Sequence, residues 1–319
     1  MGKVPVWRTI GEALAFTFHR YPAILGVVWL PLLLMGLCAY FALGPLFEAL
    51  GTIAMHAAQH PDEADFEQEM LRADRFVPAF DVAVYLIMAW ISVGVTKEAL
   101  GLRSGPWFVY LGVGKAELLL IGAYLALFAL IIGVEIAIIL VFLLVFGIGA
   151  LVVGSGAIAS VDWTLLKPWA AAAIVAFALA VLCAFVYFAV RLTALLVPIT
   201  VAEQRFGLVR SWQLSKGHFW NLLAIFVVTW LMLVVLELVT FAVIGVPLFF
   251  AASLAHAHAN GPDAVSLVFK SVEPYLPLGG VVLLAVSPVL YGLYIAPWAF
   301  AYRALVPETP LHAAAAPAA

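Results

Sequence analysis

Apolar residues in this chain come in long blocks rather than in alternation. Stretches of Leu, Val, Ile, Ala and Phe carry almost no charge, and the short segments between them hold nearly all of it. A block of about 20 apolar residues is the length of α-helix that crosses a hydrocarbon layer of about 30 Å. A single segment satisfies its own backbone there only as a helix. The pattern predicts an all-α, polytopic integral membrane bundle of about six transmembrane helices, at 22–43, 81–100, 118–150, 169–198, 219–250 and 275–305. The block 118–154 exceeds one straight span and holds a single charge, Glu135. It reads as one long tilted helix with a Gly-rich tail, or as two short spans meeting near Gly133.

The intervening segments complete one membrane domain over 1–306. In 1–21, Val6, Ile10, Leu14 and Phe18 recur at helical spacing while Arg8, Glu12 and His19 fall elsewhere on the wheel. That is the pattern of an amphipathic helix lying in the membrane interface. The segment 44–80 is an acidic outer loop with Glu48, Asp62, Glu63, Asp65, Glu67, Glu69 and Asp74 against Arg72 and Arg75. Pro288 and Pro297 are candidate kinks in the last span. The Ala/Pro-rich 307–319 reads as a disordered tail. Trp7, Trp107, Trp163, Trp169, Trp212 and Trp220 fall near span ends, where amphipathic rings prefer to lie. Trp29, Trp90, Trp230 and Trp298 fall deeper and should pack between helices.

Composition agrees with this picture. The chain is 66% apolar and 10% charged, against roughly half and a quarter in ordinary soluble domains. A net charge of −3 gives no reason to expect nucleic acid as a partner. Cys38 and Cys183 lie in apolar blocks and read as small hydrophobes. No small-residue cleavage pattern follows the first block, so a removable signal peptide is not expected. With six spans, 11 of the 15 Lys and Arg residues fall on the side of the termini, the 2–3 loop and the 4–5 connection. That asymmetry puts both termini in the cytoplasm. Membrane lipids are the expected partners, with another membrane protein as a further candidate, and the expected location is the inner membrane if the cell is bacterial.

Candidate chemistry is sparse. Glu135 and Glu237 are the acids placed well inside spans, where a carboxylate is costly and usually faces the bundle interior. They read either as a proton or cation relay, with Arg191 as a nearby counter-charge, or as structural carboxyls. Gly154-Ser155-Gly156 has the form of an intramembrane serine turn but lacks a histidine on a neighbouring span. His56, His60, His256 and His258 lie in what the pattern makes outer loops; as a metal site they are weak beside ordinary loop histidines. No cofactor fingerprint is present. Three basic stretches, 4–20, 101–117 and 205–218, each precede a pair of spans. The second and third share a Gly-Leu start, an Arg-Ser pair, a Trp and a Lys, as in a repeat or by coincidence.

The segment around which the chain is organised is 191–223. Phe206, Val209 and Trp212 recur on one helical face with Arg210, Gln213 and Lys216 on another. Gly217 suits a left-handed stop before the next span. Arg205, Arg210, Lys216, Trp212 and Trp220 are the candidate lipid head-group or partner contacts, or else snorkelling anchors of a plain connector. Arg210 to Trp220 reads R-S-W-Q-L-S-K-G-H-F-W, preceded by Arg191, Pro198 and Glu203. This resembles the R-S-W-x-L-S-x-G-x-x-W turn of the membrane domain of the glycerophosphoryl diester phosphodiesterase type and of related uncharacterised bacterial inner-membrane proteins. The resemblance covers about 35 residues closely and implies a membrane fold, not an activity. The soluble barrel that carries the phosphodiesterase chemistry has no counterpart in this sequence. The expectation is a non-catalytic membrane component that interacts with lipid or a partner, with a transporter or channel using Glu135 or Glu237 as the alternative.

Overall fold

The computed structural model describes residues 4–59, 77–110, 112, 114–153, 168–258 and 275–306. Nine helices and no strand occur among them: α1 Val6–His19, α2 Tyr21–Gln59, α3 Val77–Ala99, α4 Lys115–Val153, α5 Pro168–Thr193, α6 Leu196–Glu203, α7 Leu208–Leu214, α8 Phe219–His258 and α9 Leu276–Leu305. Six stretches within them are long and apolar enough to cross a membrane. The chain is an all-α, multi-pass membrane protein. Residues 118–153 of the long apolar block lie in a single helix. The Ala/Pro-rich tail, residues 60–76 of the acidic segment and the Gly154-Ser155-Gly156 turn lie outside the described residues.

Two helices outrun their expected ends. α2 continues past 43 through Gly44-Pro45 to Gln59, so the acidic segment begins as helix. The residues after Pro45 are mostly good helix formers, and a membrane helix tolerates a proline whose freed carbonyl finds another partner. α8 passes Pro247 and ends at His258, so His256 and His258 stand on a helix rather than in a loop.

Proline chemistry explains two local features. Pro198 has no N–H, and its ring crowds the carbonyl of residue 194. The helix leaving α5 breaks at Ala194–Leu195 and restarts as α6. In α9, Pro288 leaves the carbonyl of Leu284 without its helical donor. The Ser287 hydroxyl donates to that oxygen at 2.8 Å, and Tyr21 donates to the next carbonyl, Ala285, at 2.6 Å.

α1 packs along α9. Of the stripe Val6–Ile10–Leu14–Phe18, Ile10 is buried and Phe18 exposed, and the smaller Thr9, Ala13 and Thr17 are buried beside Ile10. Small side chains allow this close approach. A Cβ on Gly292 of α9 would come within 2.7 Å of the Thr17 hydroxyl oxygen. That hydroxyl is satisfied by the Ala13 carbonyl at 2.8 Å. Hydrophobicity alone could not choose this face, because shape decides it.

The buried cores all lie toward the end where the basic residues collect. Val190, Leu195, Leu222, Ile225 and Leu305 form one cluster, Ile24, Val28, Ile91 and Val95 a second, and Leu120, Leu196 and Val201 a third. Away from that end the helices separate. Every residue of α4 from 129 to 140 is exposed, as is most of α5 before 189. α3 is the most enclosed span and α4 the least.

The three basic stretches do not repeat a structure. The first is a 14-residue helix, the third a 7-residue helix, and 101–110 is a non-helical loop with Gly101 and Gly105 at φ of 71° and 113°. That loop lies directly on α2. The indole N–H of Trp29 donates to the Phe108 carbonyl at 2.8 Å, and a Cβ on Gly26 would collide with the Trp107 carbonyl oxygen. Gly26→Ala should therefore displace the loop and cost about 1–3 kcal/mol, as overpacking does. A lowered thermal midpoint in detergent, with Gly36→Ala as the unhindered control, checks this.

Candidate functional site

The polar architecture of the basic end is built from three clusters. The first is centred on Arg191 at the end of α5, with only 6% of the residue exposed. Its guanidinium donates to the Tyr187 hydroxyl at 2.7 Å, the Trp212 carbonyl at 2.8 Å and the Ser215 hydroxyl at 3.2 Å. It also stacks on the Trp212 ring, 3.6 Å from the centroid. Ser211 donates back to the Arg191 carbonyl at 2.9 Å. A buried cation is tolerable only with such partners. Trp212 also stacks on Phe188, with ring centroids 5.7 Å apart and planes 14° from parallel.

This geometry gives the R-S-W-x-L-S-x-G pattern a physical meaning. Ser211, Trp212 and Ser215 are the segment's three contacts with Arg191, and Leu214 enters the core. Gly207 lies so close to α6 that a Cβ would stand 2.9 Å from the Leu196 carbonyl and the Thr200 hydroxyl. Gly217 has φ 85°, the left-handed turn that lets α8 begin, as its spacing predicts.

The second cluster joins α6, α7 and α9. Glu203 lies between Arg205 and Arg210, the latter at 3.6 Å, and accepts from the Tyr302 hydroxyl at 3.1 Å. Gln204, in the left-handed conformation at φ 51°, turns the chain there.

The third cluster ties the 2–3 loop to α3 and α4. Glu117, three residues past Gly114, accepts that residue's N–H at 2.9 Å and so caps α4. Its other oxygen accepts from Lys97 at 2.8 Å and from the Tyr110 hydroxyl. Lys97 also donates to Tyr110 at 2.8 Å. Burial, and then the hydrogen bond and negative charge of Glu117, raise the Tyr110 pKa well above the usual tyrosine value, so its hydroxyl remains a donor at physiological pH. Arg103 donates to the carbonyls of Ala23, Pro106 and Trp107 and lies 3.5 Å from Glu98. The spacing Gly114-x-x-Glu117 before an apolar run was the legible trace of this cluster. The roles of Lys97, Tyr110 and Arg103 had none.

The sequence-predicted residues divide sharply. Glu135 and Glu237 are both exposed and do not face the bundle interior. Arg191 pairs with neither. It turns toward α7, because its place at the end of α5 puts it beside Ser211 and Ser215. Trp212 is not a free lipid contact but one plate of the Arg191 stack. Trp230, expected between helices, is 55% exposed. Lys216 and Trp220 are exposed, and Arg205 keeps 55% of its side chain exposed despite Glu203. Phe206, just before α7, and Val209 on it are exposed, while Ser211 and Leu214 are buried. His56, His256 and His258 have described backbones only, and His60 lies outside the described residues.

The basic rim outside these clusters combines exposed cations with exposed aromatics. Arg8 and Arg20 are largely exposed, as are Trp7, Trp107 and Trp220. Comparison with family models, with curated proteins and with solved structures returns no match.

Arg191→Lys should fail to replace the stacked guanidinium with its three separate donors and cost about 2–3 kcal/mol, the scale of charge-assisted hydrogen bonds. Faster trypsin cleavage after Lys216 and a lowered thermal midpoint would register the loss. Glu135→Gln and Glu237→Gln should leave both unchanged.

Proposed function

We propose that the chain is a non-catalytic membrane component whose basic rim holds anionic lipid head groups. The observation that carries this reading is the sorting of cations at one end. Arg191, Lys97 and Arg103 are committed inward to carbonyls, hydroxyls and carboxylates. Lys216, Arg205, Arg8 and Arg20 point outward, among exposed Trp7, Trp107 and Trp220. Cations at the phosphate level beside indoles at the interface are the chemistry of a lipid-binding collar. The resemblance to phosphodiesterase-type membrane domains fits this reading, since the shared motif is an interior lock with no reactive group. A partner membrane protein with an acidic surface would use the same collar.

The transport alternative loses the residues it was built on, since Glu135 and Glu237 are exposed on helix segments away from the packed end. The lysine and arginine asymmetry supports placing the basic rim, and both termini, on the cytoplasmic side of a bacterial inner membrane.

Arg205→Ala combined with Lys216→Ala should lower retention of phosphatidylglycerol relative to phosphatidylcholine roughly tenfold, at about 1 kcal/mol per surface cation with part of Arg205 offset by Glu203. Native mass spectrometry of protein released from mixed-lipid nanodiscs reads this ratio. An unchanged ratio with loss of a co-purifying protein would replace lipid by a partner.

Orientation has its own test. With Cys38 and Cys183 replaced, Gln213→Cys should be shielded from an impermeant maleimide in intact cells while Asp65→Cys reacts. The opposite pattern would invert the topology.

A further inference from the structure

The connection between α3 and α4 encloses a cavity of about 410 Å³, within the usual range for small-ligand sites. Lys97, Leu102, Ser104, Pro106, Val109 and Tyr110 line it. Ser104 and Pro106 are exposed, so the cavity reaches the surface, and the buried Tyr110 is an inner wall. The connection is held in one shape before anything binds. Arg103 donates to the carbonyls of Pro106 and Trp107 at 2.9 and 3.0 Å, and to that of Ala23 at 2.9 Å. Trp29 holds the Phe108 carbonyl from α2. A loop ordered in advance loses little further entropy on binding.

Two donors in this cavity are left over. An ammonium group has three N–H bonds to give. Lys97 gives one to Tyr110 and one to Glu117, both at 2.8 Å. Those two bonds fix the rotation of the group, and no described residue accepts the third. The Ser104 hydroxyl likewise donates to no described residue. The charge around them favours an anion. Residues 97–117 carry Lys97, Arg103 and Lys115 against Glu98 and Glu117. Glu117 is answered by Lys97, and Glu98 by both Arg103 and Arg20. Positive charge is therefore in surplus, and it attracts anions to the loop.

The position of the cavity selects the source of the anion. Trp107 and Phe108, next to Pro106 in the same loop, are 65% and 56% exposed. Exposed aromatic rings between the ends of two spans lie at head-group level. The phosphate nearest the cavity is then that of a lipid.

We infer that this cavity takes the phosphate of an anionic phospholipid head group, which accepts from the third Lys97 N–H and from the Ser104 hydroxyl while its acyl chains run outward past Trp107 and Phe108. The inference rests on the lipid reading of the basic rim and deepens it, by naming one built site where the rim offers loose contacts. Lys97 then serves twice, tying the loop to Glu117 and holding the ligand.

Ser104→Glu puts a carboxylate at the cavity mouth and leaves Lys97, Glu117 and Tyr110 in place. Ser104→Gln adds the same bulk without charge. In mixed-lipid nanodiscs read by native mass spectrometry, Ser104→Glu should lower retention of phosphatidylglycerol relative to phosphatidylcholine about fivefold, and Ser104→Gln by less than about twofold. Equal losses in the two variants would show damage by bulk rather than by charge, and would overturn the inference. So would an unchanged ratio in Ser104→Glu. If Arg205→Ala with Lys216→Ala still lowers the ratio in that case, the collar stands without this site; if it does not, both readings fall. A thermal shift in uncharged detergent separates the lipid from the free ion. Phosphatidylglycerol should raise the midpoint of the unaltered chain, and inorganic phosphate at equal phosphorus should not. An equal shift with inorganic phosphate, lost in Ser104→Glu, would make a soluble phosphate the occupant and overturn the lipid assignment.

Discussion

The structure depends on one buried cation. Arg191 lies where α5 breaks before Pro198, and it is the point at which α5 and α7 are joined. In lipid, apolar side chains gain little by leaving one environment for another, so helices need close packing or polar contacts to hold an arrangement. The guanidinium supplies the polar contact. It cannot be left unpaired in the interior, so a misplaced α7 carries a large penalty rather than a small loss. The three clusters around Arg191, Glu203 and Glu117 use the same logic at three corners of one end of the bundle.

That concentration of polar contacts explains the shape. The helices are tightly joined where the locks are and diverge where none occurs. α3 is enclosed because α2, α4, α6 and α9 all pack on it. From residue 129 to 140 every residue of α4 is exposed, on all faces of the helix. Those faces suit acyl chains. The cations therefore perform two distinct tasks. The buried ones fix tertiary structure, and the exposed ones on the rim are those on which the proposed lipid contact rests.

The sequence by itself determined the fold class and the number of spans, because block hydrophobicity is a one-dimensional property; it left 118–154 open as one span or two, and the structure makes 118–153 one helix. It also marked Gly217 as a turn and Pro198 as a break, since both act through their own backbone. It could not give the direction in which a side chain points. Glu135 and Glu237 lie within spans as read, yet their faces turn outward, because a helix with no neighbour on one side has no interior there. The contact of α1 with α9 was not legible for a related reason: Thr9, Ala13 and Thr17 pack closely only because Gly292 is opposite. The Arg191 contacts and the Glu117 cap with Lys97 and Tyr110 join residues from different elements. Only the tertiary structure decided them, because they depend on which helices become neighbours and not on the order of residues along any one of them.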